Sequence, residues 1–235
     1  MTKATVQCPG CGSDYIARMI YGMRRYESVR FSDEPVVYGG KEATENSSRW
    51  ECRECGKQFG RLPVWSAGEK KITPEDLVRI EFMIGGCFSG YDTVVIRRDG
   101  ENMALCVSHM PNYGVPVYVR EYSGREWDAL MKLMFEKVYV QDWKREYTDN
   151  LVLDGTQWSL VMTFIGGLSL EFSGSNDYPT LWETFQKQFA KYVAEGRKWR
   201  AKPEDILKFY SRYRDETIGR GWFEANRKEL EKIEK

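Results

Sequence analysis

The sequence predicts an α+β fold, and three observations carry the prediction. Two C-x-x-C-G pairs stand near the start, Cys8-Pro9-Gly10-Cys11-Gly12 and Cys52-Arg53-Glu54-Cys55-Gly56. Period-two apolar stretches follow, joined through Asp99-Gly100 and Gly166-Gly167 as hairpin strands are. Helical-period stretches then lie between and after those strands, which is the order of an antiparallel sheet packed with helices and ending in a helical C-terminus.

Taken in order, Val6 to about Pro63 mixes turn residues with short strand-like pieces, Tyr15 to Tyr21 and Val36 to Tyr38. Ser66 to Lys71 reads as a linker, and Thr73-Pro74-Glu75-Asp76 as a helix N-terminus or tight turn. Arg79 to Ile84 sets Ile80, Phe82 and Ile84 on one face. Tyr91 to Arg97 runs through Asp99-Gly100 into Asn102 to Ser108, the strongest hairpin signal, and Val117 to Tyr122 adds an edge or return strand. Ser123-Gly124-Arg125-Glu126 is a capping box opening a helix in which Trp127, Leu130, Met131, Met134 and Val138 recur at helical spacing.

Trp158 to Ile165 and Leu168 to Phe172 form a second hairpin, with Trp158, Leu160, Met162 and Phe164 on one face. A helix from Thr180 to about Ala194 buries Trp182, Phe185, Phe189 and Val193 and stops at Gly196. Two further helices run from Pro203 to about Arg214 and from Trp222 to the end. The implied division is a ribbon module over 1–65, an α+β domain over 72–196 and a helical C-terminal extension over 197–235.

Basic and acidic residues balance at 35 each, so any nucleic-acid contact must come from a local patch. No apolar run approaches the roughly 20 residues of a membrane span, and the start lacks a signal-peptide stretch. A cytoplasmic protein without membrane contact is expected, and in that reducing compartment six cysteines are metal ligands or buried thiols before they are disulfides.

The spacing then separates the cysteines. Each C-x-x-C-G places two thiolates across a two-residue gap, and the glycine permits a tight turn that aims N–H groups at the sulfurs. Together Cys8, Cys11, Cys52 and Cys55 make a tetrahedral set for one zinc ion, the core of a zinc ribbon. Four thiolates leave no open position, so the ion is expected to be structural, stabilising a module with too few apolar residues to close a core unaided. Cys87 and Cys106 are expected as core thiols on neighbouring strands.

His109 is the only histidine, which removes most arrangements that use imidazole as a general base. Asp92, Asp99, Glu101, Asp142 and Asp154 fall in no recognisable catalytic spacing, and no phosphate loop, dinucleotide fingerprint or H-E-x-x-H occurs. A non-enzyme is therefore expected. For a nucleic-acid or protein partner the candidate contacts are Arg24 and Arg25, close to Tyr21 and Tyr26, and the run Arg197, Lys198, Trp199, Arg200. The second run serves equally as a helix C-terminus whose cations complement the macrodipole.

The segment Asp154-Gly155-Thr156-Gln157-Trp158, followed by Gly174-Ser175-Asn176-Asp177-Tyr178-Pro179, resembles an uncharacterised group of proteins from Gram-positive bacteria and their mobile elements. In those a D-G-x-x-W strand precedes a G-S-N-x-Y-P turn and an aromatic-rich helix, often behind a C-P-x-C-G knuckle. The resemblance covers the ribbon and roughly residues 80 to 195, and it implies an architecture and a genomic neighbourhood. Physically, Asn176 suits a left-handed turn position and Asp177 can bond the following backbone. Ser173, Ser175 and Asn176 could alternatively line a ligand pocket. The expected function is a non-enzymatic zinc-binding protein that engages a protein partner, in its specific form a phage or mobile-element inhibitor of a bacterial defence system such as an anti-CRISPR. The alternative is a nucleic-acid-binding zinc-ribbon protein.

Overall fold

The structure, a computed structural model, describes residues 6–21, 35–41, 44, 47–61, 63–67, 70–110, 116–149, 151–152 and 155–233. The chain forms two compact units. The first comprises Met1–Glu75, Met131–Trp143 and Pro179–Trp182; the second comprises Asp76–Leu130, Lys144–Tyr178 and Glu183–Lys235. These boundaries differ from a linear division at 65, 72 and 196, because two segments from the second half of the chain belong with the ribbon.

In the first unit β1 (Ile16–Tyr21), β2 (Val36–Gly40), β3 (Trp50–Cys52) and β4 (Gln58–Phe59) form a sheet in the order β2-β1-β3-β4. β1 pairs in parallel with β2 and antiparallel with β3. The expected linker is instead a small hairpin of β5 (Trp65–Ala67) and β6 (Lys70–Ile72). Its reason is the Trp65 and Ile72 pair, directly opposed across the strands, of the aromatic and β-branched type that stabilises ladders. Pro74–Asp76 then forms a single 3-10 turn.

The second unit is built on a seven-stranded sheet. Its strands are β7 (Leu77–Gly86), β8 (Gly90–Asp99), β9 (Asn102–Met110), β10 (Pro116–Tyr122), β11 (Glu146–Thr148), β12 (Gln157–Phe164) and β13 (Ser169–Ser175). Their order is β10-β9-β8-β7-β12-β13-β11. All neighbours are antiparallel except β11, which joins β13 in parallel and which the sequence pattern did not predict. Both expected hairpin turns are present, with Gly100 at φ 58° and Gly166 and Gly167 at 88° and 86°.

Successive strand residues face opposite ways, so each sheet face carries its own core. On one face Phe82 meets the rings of Phe185 and Phe189, at 5.1 and 4.7 Å, from α2 (Trp182–Lys198). On the other, Val95, Ala104 and Cys106 pack with Ile206, Leu207, Phe209 and Tyr210 of α3 (Pro203–Arg212) and with Phe223 and Leu230 of α4 (Arg220–Ile233).

α2 does not stop at Gly196 but continues to Lys198. That glycine serves close approach: a Cβ there would fall 2.9 Å from Cγ1 and 3.1 Å from Cβ of Val107, which a β-strand holds in place. Gly196→Ala is therefore expected to destabilise the protein by about 1–3 kcal/mol through overpacking, outweighing the roughly 1 kcal/mol gained in helix propensity. Urea unfolding of the variant beside the wild type measures the net sign.

The loop between α3 and α4 carries a feature with no motif behind it. Glu216 is buried, and its carboxylate accepts Arg79 Nε and Nη2 at 2.8 and 2.7 Å and Arg97 Nη1 at 3.1 Å. The N–H groups of Thr217 and Ile218 donate to it as well. Arg79 and Arg97 lie directly opposite each other on β7 and β8, where two cations would repel without the shared anion.

The helix opening after Ser123 also departs from its pattern. Ser123 Oγ donates to the Glu126 carboxylate, and the Glu126 N–H reaches the Ser123 carbonyl at 3.2 Å. The α-helical part, α1 (Gly124–Lys132), then gives way to a π-helical turn over Leu133–Lys137 in which Val138 N–H bonds the Leu133 carbonyl at 2.9 Å. Tyr139 follows in the left-handed conformation, φ 52°.

Candidate metal centre

Pairing of β1 with β3 brings the two cysteine turns together. Ile16 stands opposite Cys52, and Arg53 N–H donates to the Tyr15 carbonyl at 2.9 Å. Each turn has the same backbone pattern. Gly12 N–H reaches the Cys8 carbonyl at 2.8 Å and Gly56 N–H the Cys52 carbonyl at 2.9 Å, while Cys8 N–H bonds Ser13 and Cys52 N–H bonds Lys57. Gly12 and Gly56 sit at φ 77° and 72°, values that glycine adopts without strain. Gly10 N–H points at Cys8 Sγ, 3.3 Å away.

All four sulfurs lie within 4.8 Å of one another, with Cys8 to Cys55 and Cys11 to Cys52 each at 3.6 Å. A tetrahedron of zinc–sulfur bonds near 2.3 Å gives edges of about 3.8 Å, so the spacing fits one ion. Among the described residues this is the one group of three or more histidine, cysteine or acidic side chains that could hold a metal. The donor set is compatible with zinc, and four thiolates would fill its coordination sphere.

Cys8 and Cys52 are fully buried, Cys11 and Cys55 exposed. As free thiols they differ. Burial pushes Cys8 up to about 12. At Cys52 burial acts in the same sense, but N–H groups of Cys55 and Glu54 and the neighbouring thiols outweigh it and bring the group down to about 7. The buried pair rests on an apolar cluster of Phe59 and Tyr139, edged by Val6, Ile16, Trp50 and Leu181. Tyr139 and Leu181 come from far along the chain, and no spacing rule connects them to the cysteines.

Arg24 and Arg25 lie outside the described residues, as do Tyr26 and Asp154. Arg197 and Lys198 end α2, and Arg197 Nη2 pairs with Asp92 Oδ2 at 2.8 Å, whose Oδ1 meets His109 Nδ1 at 2.8 Å. Trp199 is 57 % exposed with Lys198 Nζ 5.1 Å from its ring centre, and Arg200 is exposed. Of the proposed run, then, Lys198, Trp199 and Arg200 remain together while Arg197 turns to an acid. Cys106 is a core thiol, pushed up by burial, but Cys87 is exposed in the turn between β7 and β8. The expectation of two core thiols fails there because the strand ends at Gly86.

The 155–179 motif is explained by its own contacts. Trp158 Nε1 donates to the Asp177 carbonyl at 3.0 Å, and Gly174 is required because a Cβ would lie 2.2 Å from that nitrogen. Asn176, at φ 57°, bonds Thr156 and Val152, and Asp177 Oδ1 accepts Tyr178 N–H at 2.8 Å. Ser175 accepts from Gln157 Nε2 at 2.8 Å. These polar groups build a strand-to-helix connection.

No helix among the described residues is long and apolar enough to cross a membrane. No protein-family model, curated protein or solved structure matches the chain.

Proposed function

We propose that this chain is a zinc-binding protein without catalytic use of the metal, and that its surface engages a protein partner. The observation behind it is the four-sulfur set, which leaves an ion no position for substrate or water. The partner surface favoured here is one end of the second unit. Gly85 pairs with Gln157, and the β7–β8 turn therefore lies at the end of the sheet where β12 begins. Phe88 in that turn is 89 % exposed, and Leu151 and Val152, in the segment that precedes β12, are 93 % and 45 % exposed; together they are the apolar side chains offered to a partner.

The protein's place is a reducing compartment such as the cytoplasm, where the four cysteines of the metal set and Cys87 and Cys106 stay out of disulfides. Its specific form, an inhibitor of a bacterial defence system such as an anti-CRISPR carried by a phage or mobile element, is supported by the motif resemblance alone. Cross-linking from a bacterial lysate should recover a protein on the zinc-loaded chain and lose it with the double variant Phe88→Asp, Leu151→Asp, whose metal content is unchanged. Equal recovery by both would remove this surface, and turnover of a small molecule with no protein recovered would overturn the reading.

One observation favours nucleic acid as a second reading: the exposed Trp199 between Lys198 and Arg200 offers a stacking platform with adjacent cations. That reading requires single-strand affinity that falls steeply with salt.

A further inference from the structure

Residues 127–138 carry an α-helical pattern throughout, yet the chain abandons the α-helix after Lys132 for a π-helical turn and a left-handed tyrosine. Such a conflict between local preference and observed conformation is maintained only by surrounding structure. A bulky residue in the left-handed region is strained, and π-turns gather at functional positions. Beside it, Gln141 Nε2 donates to the Phe135 carbonyl within the π-turn at 3.1 Å.

The contacts that hold the turn lie within the first unit. The Tyr139 ring is 2 % exposed and stands edge-on to Phe59, centroids 5.0 Å apart at 81°. Both rings share a cluster with the Cys8 and Cys52 side chains. Phe59 follows directly on the second cysteine turn, so ordering that turn places the ring against which Tyr139 packs. A π-turn also takes in one residue more than an α-turn, so restoring the α-helix would rotate the succeeding residues by about 100° and carry Tyr139 off Phe59.

We propose that the π-turn is a metal-gated conformational switch: zinc on the four sulfurs holds residues 133–139 in the strained form, and loss of zinc lets residues 133–138 return to the α-helix their sequence encodes. The inference rests on the metal centre and not on the partner. Coupling of this kind is reciprocal, so disfavouring the strained form must weaken the ion's hold.

The test uses the full chain. Zinc affinity is measured by competition with a chromogenic chelator for the wild type, Tyr139→Ala and Tyr139→Phe. Tyr139→Ala, which removes no ligand, is expected to bind zinc at least about tenfold more weakly, and Tyr139→Phe, which keeps the edge contact, to stay within about twofold. Unchanged affinity in Tyr139→Ala overturns the proposal while leaving the metal centre intact; a wild type that binds no zinc removes the metal centre itself. Hydrogen exchange adds a second readout. The amides of Val138 and Asp142 should change rate at least about tenfold on chelation while those of β12 do not, and identical rates across 131–143 with and without zinc overturn the switch. Should chelation unfold the whole chain, the tyrosine variants decide alone.

Discussion

Cys52→Ser is expected to reduce bound zinc from one ion per chain to none and to unfold the ribbon sheet. The Cys52 side chain is fully buried at the end of β3, and its sulfur stands 3.6 Å from that of Cys11. Among the described residues of the ribbon sheet, few apolar side chains beyond Ala17 and Met19 add to the cluster on which the sulfurs rest. Structural zinc supplies on the order of 10–16 kcal/mol of apparent binding free energy to small modules at neutral pH, more than such a module retains without it. Elemental analysis gives the stoichiometry, and limited proteolysis should show residues 6–61 cut in the variant at protease levels the wild type survives. Cys87→Ser should hold a full zinc equivalent, because Cys87 lies outside the set. Zinc retained by Cys52→Ser would defeat the assignment.

Glu216→Gln is expected to cost about 1–3 kcal/mol and to lower Tm by on the order of 5 °C, since it removes the buried carboxylate that Arg79 and Arg97 share while leaving Arg79 its pair with Glu81 at 2.6 Å and Arg97 its pair with Asp215 at 2.7 Å. The same carboxylate sets a pH dependence. Burial alone would raise its pKa, but hydrogen bonds and charge from Arg79, then the Ile218 N–H and Arg97, outweigh burial and hold it below the ordinary 4.5. A depressed folded-state value means that its stabilisation is complete above the unfolded pKa and is lost as pH falls through the folded one. Denaturant melts of wild type and variant should therefore differ by a constant amount above the ordinary 4.5 and draw together as the pH falls below it. A constant gap from pH 7 to pH 3 would show that the carboxylate charge is not what Arg79 and Arg97 require.

The parts of this molecule that were legible in the sequence are those set by neighbouring residues. Asp99-Gly100 and Gly166-Gly167 dictate their turns by backbone conformation alone, and Trp158, Leu160, Met162 and Phe164 are buried as their period requires. The four-cysteine set was legible for the same reason, a fixed gap and a glycine. The features that escaped depend on distant partners. Glu146-Tyr147-Thr148 has too few residues to show alternation, and its ladder is completed by Ser173 to Ser175. Glu216 is an ordinary charge in a polar loop until β7 and β8 bring two arginines beneath it. Gly196 looked like a helix stop because its sequence neighbours do not reveal Val107. Tyr139 could not be tied to the cysteines, since the conformation that delivers it runs against the local helical pattern.

The two outer strands of the large sheet bear on colloidal behaviour. One, β11, is only three residues long, which offers an incoming chain little ladder to extend. The opposite one, β10, begins at Pro116, whose nitrogen has no hydrogen to donate, and carries exposed Arg120 and Glu121. Short length, proline and charge are the devices by which sheet rims refuse templated growth. Concentrated solutions should accordingly resist fibril formation for as long as the seven strands stay together.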